Sequence, residues 1–271
     1  MEHNTLIDGL DPEMVAPIVS RREAIAKGAS ASSKLMAALA LGSVPIALGA
    51  LAKDVYGQAP PDVLDVLQFA LTLEYLEAEF YTRGVASAGL IPASATTVFT
   101  TIRDHENTHV TALRGIITQK GSTPVAKPNF DFTAKGAVAG FNFGATQYAT
   151  FQVLAQAFED TGVRAYKGQA GRLINDKEVL TAALTIHSVE ARHASMVRRM
   201  RGKKGWITGN SRDDLPAFTQ GIYNGEDNVT QAGLDITALG TGNGGIGGVT
   251  EAFDEPLTKA QVLAIVGPFL A

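Results

Sequence analysis

Two short motifs constrain this chain more than anything else in it: Glu106-Asn107-Thr108-His109 and Glu190-Ala191-Arg192-His193. Each lies in a segment whose apolar residues recur at three- and four-residue spacing, the mark of an amphipathic helix. Residues three apart on a helix sit about 60° apart around the axis and roughly one turn along it, so a carboxylate oxygen and an imidazole nitrogen can meet one cation. A single Glu-x-x-His is a common accident of an exposed helix. Two of them on alternate helices make a two-metal site if the remaining helices supply inward carboxylates.

Those carboxylates are present. From Asp62 to about Ala88 the apolar series Val63, Val66, Leu67, Ala70, Leu73 and Phe80 predicts a first helix. Glu74 and Glu77 both fall on its inward face, where an unpaired carboxylate is costly to bury. The sequence does not separate these two. A second helix, from about Ala93 to Gln119, carries the first motif. A third, from about Gly144 to Gly168, places Glu159 beside Phe158 and one turn beyond Ala155, with Asp160 pointing elsewhere. The fourth, from about Asn175 to Met200, carries the second motif, with Asn175-Asp176 as its cap.

The connections also discriminate. Gly89 to Pro92 suits a tight antiparallel turn, whereas Gly121 to Phe143 has neither helical nor strand periodicity and is too long for a hairpin loop. A crossover between parallel helices needs such a length. The expected fold is therefore all-α: a four-helix bundle over residues 60–203, with a long crossover between helices two and three. Residues 204–271 read as a loop-rich extension. Its glycine run, Gly240 to Gly248, is expected to be a flexible surface loop, and Leu257 to Leu270 a short packing helix with Pro256 near its start.

The chain has no cysteine, which excludes disulfides, thiolate metal sites and a cysteine nucleophile, so any metal must sit on His, Asp or Glu. A net charge of -4 and the lack of a long basic run argue against nucleic acid as a partner. Ser20-Arg21-Arg22-Glu23-Ala24-Ile25-Ala26-Lys27, followed by the apolar run Leu35 to Leu51, reads as an export signal within residues 1–59. The paired arginines resemble a twin-arginine signal, although Ala24 stands where an aromatic residue is preferred and the lysine falls one place late. Small-x-small sites at Ala50-Leu51-Ala52 and Gly57-Gln58-Ala59 precede Pro60-Pro61, a suitable mature start. The expected location is periplasmic or extracellular, with no stable membrane insertion after cleavage. An uncleaved anchor is the alternative, in an apolar run interrupted by Gly42, Pro45 and Gly49.

These residues resemble the ferritin-like superfamily that includes rubrerythrin and bacterioferritin. The run Leu73-Glu74-Tyr75-Leu76-Glu77-Ala78-Glu79-Phe80-Tyr81 and the tail Phe253-Asp254-Glu255-Pro256-Leu257 are more similar to the bacterial ferritin-like proteins related to plant desiccation-related proteins. The resemblance implies that Glu106 and Glu190 bridge two metals, that His109 and His193 each cap one, and that Glu159 with Glu74 or Glu77 are terminal ligands. The cysteine-rich rubredoxin module of rubrerythrin is absent. Oxygen-rich ligation favours two iron or two manganese ions over copper or zinc.

The expected activity is oxidation of Fe(II), or removal of peroxide, in envelope stress protection, with oxygen or peroxide as the small-molecule substrate. The alternative is a non-enzymatic stress or structural protein with a structural or vestigial metal site. A homo-oligomer is compatible with the sequence, while a closed storage cage is disfavoured by the long tail. His105 and His187 are expected to be hydrogen-bonded helix histidines, the alternative being that His187, three residues before Glu190, supports a ligand. Tyr81, Tyr148 and Tyr166 are expected in core or rim packing, the alternative being that they line the site or gate radicals.

Overall fold

The computed structural model describes residues 63–271, so the export segment read at residues 1–59 lies outside the described residues. Four long helices follow in order: α1 (Val63–Ala86), α2 (Ala93–Gln119), α3 (Tyr148–Ala170) and α4 (Lys177–Met200). α1 packs along α2 and α3 along α4. The apolar stripes that predicted these helices meet in one core, where Phe80, Phe99, Phe151 and Leu154 are completely buried. At the start of α4 the Asp176 side chain accepts the Val179 N–H, satisfying a donor that the first helical turn leaves unpaired. No helix among the described residues is long and apolar enough to cross a membrane.

The crossover is ordered by its own chemistry. Asp131 accepts hydrogen bonds from the Thr133 N–H and hydroxyl at 2.9 and 2.6 Å and from the Lys135 N–H at 3.0 Å. These hold Ala134 and Lys135 in the left-handed region, with φ of 50° and 53°. The turn aims Phe130, Phe132, Phe141 and Phe143 into the main core, so a segment without helical period still buries apolar surface.

The tail contains a short antiparallel pair, β1 (Thr230–Gln231) with β2 (Leu234–Asp235), then α5 (Gly245–Thr250) and α6 (Lys259–Val266). α6 opens with a reciprocal capping box between Thr258 and Gln261. The glycine run differs from expectation, because its second half forms α5. Glycine disfavours helix by about 1 kcal/mol per residue, but contacts from outside the run hold this turn. The Thr250 hydroxyl accepts the Gly209 N–H at 2.9 Å, and Glu251 accepts from Thr208 at 2.5 Å and Lys204 at 2.6 Å.

The tail is fastened to α3. Arg164, buried in that helix, meets Glu226 at 2.7 Å and donates to the carbonyls of Ile222, Asn224 and Glu255. One turn away the Leu257 carbonyl crosses so close to Gly168 that a Cβ there would lie 1.8 Å from its oxygen. Only glycine permits that crossing.

Candidate metal centre

Helix geometry brings the two motifs together in the middle of the bundle. Glu74, Glu106, His109 and Glu190 each offer one donor atom, and these atoms lie within 4.8 Å of one another. Glu106, Glu159, Glu190 and His193 form a second such set. Glu106 and Glu190 belong to both. Glu74, Glu106, Glu159 and Glu190 are completely buried, and His109 and His193 are nearly so.

Glu77 is in neither set, although it too is buried. Its carboxylate lies against α3 at Gly162, where an added Cβ would stand 3.3 Å from Glu77 Oε1 and 3.4 Å from Glu190 Oε2. The structure therefore separates the two first-helix candidates that the sequence left together. Glu74 shares a donor cluster with His109, and Glu77 stands behind the cluster.

The donor atoms crowd together, and several lack a well-formed hydrogen bond. Glu74 Oε2, Glu106 Oε1, Glu159 Oε2, both oxygens of Glu190 and His193 Nδ1 are buried without a well-formed hydrogen bond. His193 Nδ1 nevertheless lies 2.9 Å from Glu106 Oε1 and 3.4 Å from Glu159 Oε2. His109 Nδ1 lies 3.1 to 3.3 Å from Glu190, Glu74 and Glu106. Buried polar atoms ordinarily find partners, and a cation at each convergence would supply them.

Electrostatics point the same way. Burial pushes the Glu74 carboxyl up to about 8, and burial together with neighbouring carboxylates pushes Glu77 and Glu190 well above the usual range. Burial also raises Glu159. Burial would raise Glu106 too, but the close imidazoles of His109 and His193 outweigh it and bring the group down to about 2. Burial opposes charge on the imidazoles as well, yet the surrounding carboxylates raise His109 to about 12 and His193 to about 11. Five buried carboxylates thus hold protons on and around two imidazoles. Divalent cations would displace those protons, and oxygen donors with one imidazole per set fit hard or borderline metal ions.

Supporting side chains repeat the symmetry of the motifs. Tyr81 donates to Glu159 Oε1 at 2.5 Å, and Tyr166 donates to Glu74 Oε1. Each tyrosine stands seven residues beyond the terminal glutamate of its own helix and holds the one on the other helix. Tyr81 and Tyr166 pack in the main core as expected and line the donor cluster as well, while Tyr148 packs against Phe99. The repeated seven-residue spacing was visible in the sequence, but the pairing across helices was not. His105 is the hydrogen-bonded helix histidine expected, and its partner is a donor of the cluster: its Nδ1 lies 2.9 Å from His193 Nε2, the ring atom turned away from the carboxylates. His187 lies outside both donor sets, and burial lowers its imidazole. Asp160 does point elsewhere, toward Arg198 and Tyr223 at 2.8 and 2.7 Å.

No curated protein matches the chain. A family model described as a ferritin-like domain matches residues 62–203, which take in all four long helices and every donor named above. That match spans more than half of the chain, and on it this protein belongs to the ferritin-like domain family.

Proposed function

We propose that the protein is a dinuclear iron or manganese protein in which Glu74 and His109 hold one ion, Glu159 and His193 hold the other, and Glu106 and Glu190 are shared. The observation that carries this reading is the pair of buried donor sets with two glutamates in common. When bound, such a pair supplies one-electron steps between divalent and trivalent states. That suits Fe(II) oxidation by oxygen or peroxide, or peroxide disproportionation with manganese, in protection of the cell envelope. The export segment read in residues 1–59 supports the envelope setting.

The chain's own residues have definable tasks. Tyr81 and Tyr166 fix one oxygen of each terminal glutamate and leave Oε2 to face the centre. His105 orients His193 through the ring nitrogen not aimed at the carboxylates, the kind of contact that sets a ligand's tautomer. Burial and the neighbouring carboxylates favour the protonated form of Glu77, which stands beside Glu190 at Gly162. Phe80, Phe99 and Phe151 keep water from one end of the site.

The test is metal content by elemental analysis of the purified protein beside Glu106→Ala and Glu190→Ala. The expected result is two iron or manganese ions per chain, both lost in either variant because each glutamate serves both ions, with turnover of Fe(II) or peroxide by the loaded protein. No bound metal, even after anaerobic Fe(II) or Mn(II) addition, would sink the reading. Metal without turnover would leave a structural clip.

A further inference from the structure

The α1–α2 and α3–α4 halves are related by an approximate two-fold, but they fill the two ends of the bundle differently. At one end Phe80, Phe99, Phe151 and Phe158 interlock, with ring centroids 4.7 to 5.0 Å apart between Phe80 and Phe151, Phe80 and Phe158, and Phe99 and Phe151. Counting from the matching glutamates, Ala165 stands where the other end has Phe80, Ala183 where it has Phe99, and Val66 where it has Phe151. Three aromatic rings are thus replaced by small side chains. A partly open apolar cavity of about 20 Å³ remains there.

Its wall includes Val66, Phe69, Leu73, Leu113 and Ala165, with Tyr166 among them and Ala183 partly exposed on the outer side. Gln169 also borders it, but that amide oxygen accepts from Arg172 at 2.6 Å. A buried water typically needs two to four polar partners, whereas an apolar cavity stays dry and takes apolar guests. The volume is enough for one small molecule. Leu73 on the wall precedes Glu74, and the Tyr166 hydroxyl reaches Glu74 directly, so a guest would rest one side chain from the proposed metal centre.

We propose that this cavity is a binding site for dioxygen, the small apolar oxidant, held beside the Tyr166–Glu74 contact. The proposal deepens the function argued above, since it assigns that centre's oxidant and the place where it waits. Peroxide, with two hydrogen-bonding hydroxyls, is poorly matched to such a wall.

Xenon is the probe, because its binding needs no metal. Crystals of the metal-free chain pressurised with xenon are expected to show one atom in the cavity, and crystals of Ala183→Phe, which restores the aromatic found at the other end, none. Ala183→Leu is the second variant if the larger ring prevents folding. In the iron-loaded protein, the filled variant should raise the dioxygen concentration for half-maximal Fe(II) oxidation several-fold, with metal content and the peroxide dependence unchanged. An empty or water-filled cavity under xenon, or an unchanged dioxygen dependence in the filled variant, would overturn the proposal. Failure of the wild-type chain to load metal would overturn the dinuclear reading and leave xenon occupancy to decide this one.

Discussion

The α1–α2 half and the α3–α4 half carry matching donor residues and fix Glu74 and Glu159 by matching tyrosine contacts. Glu74 and Glu159, Tyr81 and Tyr166, Glu106 and Glu190, and His109 and His193 are matched pairs. Even a supporting arginine repeats: Arg114 reaches the residue after Glu74, and Arg198 the residue after Glu159. The halves part company one step outward. Glu77 faces Gly162 across the two-fold, His105 corresponds to Val189, and Glu79, tied to Lys127 of the crossover, corresponds to Arg164, tied to Glu226 of the tail. The tyrosines and arginines behind the glutamates are alike in both halves, whereas Glu77 and His105, which also reach the donors, have no like counterpart, and positions that meet the crossover or the tail diverge according to what covers them.

The largest effect expected from that divergence is at the tail clamp. Arg164→Ala strands Glu226 in a buried site and leaves the carbonyls of Ile222, Asn224 and Glu255 without their donor. Breaking a buried pair by removing one partner costs about 3–5 kcal/mol, so the midpoint of urea unfolding should fall sharply. A loss near zero would show that the tail is not fastened through α3.

The donor cluster should make the metal-free protein sensitive to pH. Glu74 has a folded-state value of about 8, and Glu77, Glu159 and Glu190 are also raised, so the native state binds more protons than the unfolded chain from the ordinary carboxylate range up to those values. His109 and His193, raised to about 12 and 11, act in the same direction above the usual histidine value. Stability therefore declines as pH rises from 5 toward 8, by about 1.4 kcal/mol per pH unit for each proton of difference. Glu106, lowered to about 2, adds stability only as pH rises through the acid range below this window. Thermal melts of the chelated protein at pH 5.5 and pH 8 should show the lower melting temperature at pH 8, and metal should flatten the difference. Equal melting temperatures without metal would mean that the cluster is not proton-loaded.

A smaller effect tests the symmetry itself. Tyr81→Phe and Tyr166→Phe each remove one hydrogen bond to a terminal glutamate, worth about 1 kcal/mol. The two losses should agree in chemical denaturation of the metal-free protein. A clear inequality would mean that the halves hold their ligands differently despite the matching contacts.

The helices were legible because amphipathic period and motif agree over long segments; α2 runs from Ala93 to Gln119, as read from the sequence. The donors were legible because a carboxylate on an apolar face has few bland explanations. Less visible was everything set by contacts distant in sequence. Tyr166 reaches Glu74 from α3, His105 reaches His193 from α2, and neither pairing leaves a periodic signal. Glu74 and Glu77 share one helical face, so period alone could not rank them, whereas the position of His109 does. The helical turn in the glycine run was hidden because local propensity opposes it and partners at Lys204, Thr208 and Gly209 hold it.

The weakest expected effect is the counterpart of the strongest. Lys127→Ala removes the cation that the crossover offers to Glu79, the residue matching Arg164. The Lys127 side chain is half exposed, and Glu79 keeps Arg83 at 3.7 Å, so no buried charge is abandoned. Exposed pairs of this kind contribute about 0–1 kcal/mol. The crossover would stay in place, because Phe130, Phe132, Phe141 and Phe143 remain in the core and Asp131 keeps its turn. Urea unfolding of Lys127→Ala beside Arg164→Ala compares the two attachments directly. A small loss beside a large one would mean that the crossover is held by aromatic burial and the tail by a charged clamp, and similar losses would mean that the crossover too depends on its ion pair.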